Sequence, residues 1–99
     1  MTIFIYRWKV KPGKEKQFEK NWAILTEAYR DQGGSYGSRL HLSSNGEYIG
    51  YAQWPDAHTR DNCQLNDSIS EARVLLRDAI LSTYPEEQLS VKADFLVSK

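Results

Sequence analysis

The N-terminal part of the chain alternates between two sets of side chains with a period of two residues. In residues 2–11, one set is Phe4, Tyr6, Trp8 and Val10, and the other is Ile3, Ile5, Arg7 and Lys9. This period, in β-branched and aromatic residues, predicts a β-strand. The strand should end at Pro12-Gly13.

From residue 14 the apolar period becomes that of a helix. Its apolar residues are spaced four, three and four positions apart and so form one stripe along the helix, and Gly33-Gly34 after them predicts a helix C-terminus. A second helix should begin at a capping box formed by Ser68 and Glu71. The first stripe is Phe18, Trp22, Leu25 and Tyr29, and the second is Ile69, Ala72, Leu76, Ala79, Ile80 and Thr83.

Two further alternating segments, residues 36–44 and 47–54, flank Asn45-Gly46 and predict a hairpin. Asn-Gly suits the two positive φ values of a two-residue type I′ turn. Pro55 ends the second strand, and residues 56–65 should form a short helix or turn. The two-residue loop predicts Leu42–Ile49 and Leu40–Tyr51 as pairs on one face, and Ser43–Tyr48, His41–Gly50, Arg39–Ala52 and Gly37–Trp54 on the other.

Residues 89–97 alternate again and predict a last strand, after a loop at residues 85–87. The order βαββαβ is typical of the ferredoxin-like α+β plan, a four-stranded antiparallel sheet with both helices on one face. The strands carry apolar residues on both faces, but two helices can cover only one. Since an uncovered apolar face usually marks an interface, we expect a homodimer packed sheet against sheet.

Length and charge narrow the functional classes. The 99 residues predict a single domain, 1–99, and 13 basic residues balance 13 acidic ones. This balance argues against nucleic-acid binding and against a basic membrane-surface helix. The one cysteine, Cys63, precludes an intrachain disulfide and is interpreted as a structural thiol. With no apolar segment near the ~20 residues of a membrane span, a cytoplasmic protein is expected.

Two segments carry a resemblance to a known family. Residues 8–19 read W-x-V-K-P-G-K-E-x-x-F-E, and residues 37–56 contain G-S-R-L-H-L followed by Y-I-G-Y-A-Q-W-P-D. The chain resembles the antibiotic biosynthesis monooxygenase superfamily, whose fold is the dimeric α+β barrel. The resemblance implies a homodimer with a ligand cavity between sheet and helices. It also implies oxidation of a phenol- or quinol-type substrate without metal or flavin.

Such chemistry needs an apolar pocket, a proton acceptor and donors that hold an anion. The catalytic candidates are Arg39, to hold a phenolate, and His41, as a base that titrates near neutrality. Both roles require their face of the hairpin to line the cavity; solvation at an edge strand or pairing across the dimer are the alternatives. The substrate-binding candidates, with core packing as the alternative for the aromatic ones, are Tyr6, Trp8, Trp54 and His58.

No cofactor is expected. The haem-degrading branch of the superfamily uses an Asn, a Trp and a His where this sequence has Tyr6, Cys63 and Arg73. A metal site of His41, Asp56 and His58 lacks the usual spacing. Two hypotheses remain: a cofactor-independent monooxygenase, and a non-catalytic dimeric module that binds a small ligand or serves as a structural unit. An RNA-binding module is disfavoured because the segment YIGYAQW contains no basic residue.

Overall fold

The computed structural model describes residues 1–97 and shows one antiparallel sheet with helices packed on one face. The sheet order is β2-β3-β1-β4, and β5 pairs with β1 beyond the end of β4. This is the predicted ferredoxin-like α+β arrangement. The elements are β1 (Thr2–Val10), α1 (Glu15–Gln32), β2 (Gly37–Leu42), β3 (Tyr48–Trp54), α2 (Ala57–Asp61), a 3-10 turn (Asp67–Ile69), α3 (Ser70–Ala79), β4 (Ile80–Thr83) and β5 (Glu87–Ser90).

The core lies between the sheet and the helices. Along β3 every second residue is buried, from Tyr48 to Trp54, so this strand turns one face inward. Phe18 of α1 is fully buried and packs against Trp8 and Tyr48. Helices α1 and α3 meet through a separate cluster of Leu25, Ala28, Ile69 and Ala72. The two predicted helical stripes therefore do face the core, as far as Ala79.

The edge beside β1 is formed by two short strands, β4 and β5, so a last strand is present but at residues 87–90, and its predicted bounds of 89–97 are wrong. β4 pairs with the Trp8–Val10 end of β1, and β5 pairs with its N-terminal end, up to Thr2. Ile80 and Thr83, predicted as helical, belong to β4. Because β5 reaches the end of β1 at Ser90, residues 91–97 have no further length of that strand to pair with, and they are exposed.

Local capping partly follows the sequence. Helix α1 ends at Gln32, and Gly34 takes a positive φ of 87°, as expected for a glycine after a helix. The predicted capping box of Ser68 and Glu71 is wrong, because no described side chain caps α3 itself and the 3-10 turn before it is capped by Asn66. Its side chain accepts a hydrogen bond from the Ser68 amide at 3.0 Å, and α3 starts only at Ser70.

The hairpin has three loop residues instead of the predicted two. The amide of Ser43 donates to the Glu47 carbonyl at 2.8 Å, and the amide of Gly46 donates to the Ser43 carbonyl at 3.0 Å. Gly46 has φ 86°, while no non-glycine residue in 1–97 has a positive φ, so Asn45 does not adopt a type I′ conformation. A type I turn closed by a left-handed glycine gives this three-residue loop.

The extra loop residue shifts the register by one position. Leu40 lies opposite Gly50, and Arg39 lies opposite Tyr51. A shift of one residue moves every side chain of a strand to the other face. Arg39 and His41 therefore lie on the face away from the helices, and the predicted register is wrong. In the described part of the chain, no helix is both long and apolar enough to cross a membrane.

Candidate functional site

A cavity of about 470 Å³ lies between the inner face of the sheet and the helices. This volume is within the usual range of small-molecule sites. The first strand, the long helix and the third strand supply its aromatic walls, and α2, α3 and the segment between them supply polar groups. Its aromatic lining includes Tyr6, Trp8, Trp22, Tyr29 and Trp54.

Gly50 forms part of the floor of this cavity. It lies opposite Tyr6 on the neighbouring strand, at an inward-facing position of β3. A Cβ at Gly50 would stand 3.0 and 3.2 Å from two ring carbons of Trp8. The absent side chain lets the indole lie against the sheet, where it stacks on the Tyr6 ring with centroids 5.8 Å apart. The glycine therefore fixes where the two rings of the wall sit.

Arg60 of α2 organises the polar end of the cavity. Its Nη1 donates to the Tyr6 hydroxyl at 3.1 Å and to Oε2 of Glu86 at 2.6 Å. Its Nε and Nη2 both donate to Oδ1 of Asp61. The guanidinium also stands 3.9 Å from the centre of the Phe4 ring, a cation–π contact. These contacts link α2 to β1 and to the connection between β4 and β5.

The environment of Tyr6 makes it a hydrogen-bond donor. Burial raises the pKa of its phenol, and this outweighs the lowering by the hydrogen bond from Arg60. The phenol therefore stays protonated near neutral pH. Because its oxygen accepts from Arg60, its own O–H remains available to a bound ligand. The hydrogen bond to Glu86 is the main cause that raises the pKa of Arg60, which remains cationic.

Cys63 and Arg73 also line the cavity, together with Tyr6. Burial raises the pKa of the Cys63 thiol, opposed by the charge of Arg73, so the reactive thiolate is disfavoured. The sulfur occupies the space that a Cβ on Gly33 would need. Tight packing and a neutral thiol support the structural interpretation of this cysteine.

The structure brings only some of the predicted site residues together. Tyr6, Trp8 and Trp54 line the cavity, although their binding role remains a prediction. Arg39 and His41 are exposed on the opposite face of the sheet because of the shifted register.

His58 also lies outside the cavity lining: it is exposed on α2, where its Nδ1 is 3.2 Å from Nδ2 of Asn62. Within residues 1–97, no three potential metal ligands among histidine, cysteine and acidic side chains cluster together.

Sequence reasoning missed the charged residues of the cavity, Arg60, Asp61 and Arg73. One signal for Arg60 was present. The side chain of Asp56 caps α2 by accepting from the Thr59 amide at 2.7 Å. With the helix start fixed at Asp56, Ala57 and Arg60 are three residues apart and lie on the same side of a short helix. Because this helix follows the buried end of β3, that side could have been predicted to face the cavity.

No family model and no curated protein sequence matches this chain. Solved structures do match. SnoaB, a cofactor-independent oxygenase from Streptomyces nogalater, aligns over 95% of each chain with a TM-score of 0.77 at 17% identity. A provisionally named antibiotic biosynthesis monooxygenase from Bordetella bronchiseptica aligns with a TM-score of 0.77 at 19% identity, over 93% of this chain and 97% of that one. A conserved protein from Methanosarcina mazei aligns with a TM-score of 0.73 at 19% identity, over 93% of this chain and 94% of that one.

These alignments confirm the structural resemblance. The chain has the ferredoxin-like α+β fold of antibiotic biosynthesis monooxygenase proteins along nearly its whole described length. At these identities the likeness is one of fold. What the cavity does depends on its own side chains.

Proposed function

We propose that the protein is a cofactor-independent oxygenase that acts on a small phenol- or quinol-type aromatic in the cavity between sheet and helices. The observation that carries this proposal is an aromatic-walled cavity with a neutral Tyr6 phenol and the charged Arg60 at one end. The walls favour a flat apolar ring by stacking. The polar end supplies the donors that a ligand oxygen requires.

In this mechanism the substrate itself is the reductant. An electron-rich aromatic becomes a better electron donor to oxygen once its hydroxyl is deprotonated. The O–H of Tyr6 would donate to the resulting anion, and Arg60 would stabilise it through Tyr6. Donors that are already fixed in place stabilise such charge without reorganising.

The proton acceptor in this proposal is Asp61. It is a carboxylate in the cavity lining, and both of its hydrogen bonds from Arg60 reach Oδ1. Among residues 1–97, no hydrogen bond to Oδ2 is formed, so this oxygen is available for the substrate proton. This role replaces His41, which lies on the other face of the sheet.

Oxygen consumption tests the enzyme proposal. A panel of phenols and hydroquinones is offered to purified protein with a metal chelator present, and uptake is followed with an electrode. We expect uptake with at least one compound, and a loss of about 100-fold or more in Asp61→Asn, the usual size of a general-base effect. Asp31→Asn is the matched control, because Asp31 is exposed near the end of α1 and does not line the cavity.

The second candidate function is a non-catalytic ligand-binding module. The observation that favours it is the composition of the cavity lining. Among the described residues the lining contains no histidine, and its one thiol, that of Cys63, is kept neutral by burial. Binding of the panel without oxygen uptake by any member would support this function and reject the oxygenase. Absence of both binding and uptake would reject both.

We also propose that two copies associate through the outer face of the sheet. This face carries Ile5, Ile49 and Tyr51 at adjoining positions of β1 and β3, and the helices of the described residues pack on the opposite face. These three side chains are half-buried, and elsewhere Phe95, Leu96 and Val97 of the C-terminal segment are between 81% and 93% exposed. Apolar side chains left at the surface in this way are typical of a protein interface.

A further inference from the structure

Two arginines line the cavity, and their electrostatic surroundings differ. Arg60 has Glu86 and Asp61 as ion-pair partners, with Nη–O distances of 2.6 and 3.0 Å. Arg73, on the first part of α3, forms neither an ion pair nor a side-chain hydrogen bond with any residue in 1–97. Asp61, which is also part of the lining, is paired with Arg60. Among residues 1–97, the positive charge of Arg73 therefore has no ion-pair partner.

An arginine that lacks an ion-pair partner and lies beside aromatic cavity walls has a chemical preference for an anionic ligand group. A guanidinium that loses water on ligand binding must gain hydrogen bonds and an opposite charge, or the binding is penalised. Its planar array of donors matches the two oxygens of a carboxylate, whereas a neutral amide leaves the charge unpaired. The rest of the lining is rich in aromatic rings, which suit a flat apolar body.

We propose that Arg73 makes this cavity selective for aromatic ligands that carry a carboxylate. The inference rests on the proposed use of the cavity for small aromatics and adds the class of substituent that is recognised. In the bound state the ring packs against the aromatic walls, and the carboxylate accepts hydrogen bonds from Arg73. Arg73 is a specificity-determining residue in this account, with no part in proton transfer.

The test compares two probes of equal shape, 2-naphthoate and 2-naphthamide, by isothermal titration calorimetry. Wild type should bind the acid at least about ten-fold more tightly than the amide, the size of one charge-assisted hydrogen bond. In Arg73→Gln this preference should disappear, with the amide affinity little changed. Arg77→Gln is the matched control, because Arg77 lies one turn further along α3, is exposed and is not part of the lining.

The possible outcomes separate this inference from the proposed function. Equal binding of both probes by wild type, or a preference that survives in Arg73→Gln, overturns the carboxylate selectivity and leaves the aromatic cavity intact. Binding of neither probe to wild type overturns both. Arg73→Lys keeps the charge but not the planar donors, so an intermediate preference is expected. Circular dichroism establishes that each variant is folded before it is titrated.

Discussion

The Tyr6 hydroxyl accepts a hydrogen bond from Nη1 of Arg60 at 3.1 Å, across 54 positions of the chain. This contact joins the first strand to a one-turn helix that has no buried residue of its own. It also determines the role of the phenol: with its oxygen occupied as an acceptor, the remaining O–H can be donated into the cavity. Ligand recognition at this end therefore depends on both residues.

Tyr6→Phe should weaken binding of phenols and hydroquinones while the protein remains folded. A hydrogen bond between neutral groups contributes about 0.5–1.5 kcal/mol, so a loss of about two- to ten-fold in affinity is expected. Arg60 keeps Glu86 and Asp61 as partners, so little stability should be lost. Tryptophan-fluorescence titration measures the affinity, with Tyr36→Phe, at an exposed tyrosine, as control. Equal affinities in wild type and Tyr6→Phe would rule out the donor role.

Gly50→Ala should destabilise the protein by about 1–3 kcal/mol, because the new methyl group collides with the Trp8 indole. Urea unfolding gives the free energy. Trp8→Phe in the same background should restore part of the loss, since the smaller ring leaves room for the methyl group. The double-mutant cycle would then show a coupling between the two positions. Simple additivity would mean that Gly50 does not position Trp8.

The pH dependence of stability should report on Tyr48. Burial, followed by the hydrogen bond to Glu19, raises the pKa of Tyr48 from its ordinary value of 10.0 to about 12. Above pH 10 the unfolded chain loses this proton while the folded protein keeps it, so stability should fall from pH 10 to about 12. Unfolding free energies of wild type and Tyr48→Phe, measured across this range, should differ in slope. Parallel curves would contradict the assignment.

Much of the fold could be predicted from the sequence, because periodicity reports which face of an element is buried. The stripe from Phe18 to Tyr29 and the alternation from Phe4 to Val10 both face the core as expected. The hairpin register was missed because Asn45-Gly46 favours a two-residue loop, but Gly46 can also close a three-residue loop in the left-handed conformation. Local preference cannot tell these apart, yet the choice decides which face carries Arg39 and His41.

The charged part of the candidate site was less predictable. Arg60 reaches Tyr6 and Glu86, which come from distant parts of the chain, and no sequence period encodes such a contact. The division of the sheet edge beside β1 into β4 and β5 was also missed, because it too depends on pairing between distant parts of the chain. Residues 80–83 continue a helical apolar pattern, but pairing with the exposed edge of β1 outweighs that pattern.

Ile5→Asp should shift the protein towards monomer if the outer sheet face forms the proposed interface. An unpaired carboxylate buried at an interface costs several kcal/mol, more than one interface position normally contributes. Light scattering at micromolar concentration gives the mass. Val74→Asp is the control, because Val74 is 64% exposed on α3 and lies outside the proposed interface. Wild type that is already monomeric would refute the homodimer.

Ligands are expected to enter the cavity under the helices and not to bind the hairpin face that carries Arg39 and His41. All three tryptophans, Trp8, Trp22 and Trp54, line that cavity. The most direct measurement is a ¹H–¹⁵N NMR titration with the phenol or aromatic acid that binds best. Shifts of the three indole N–H signals, with the amides of Arg39 and His41 unchanged, are the predicted result. Shifts confined to the amides of β2, with all three indole signals unmoved, would contradict it.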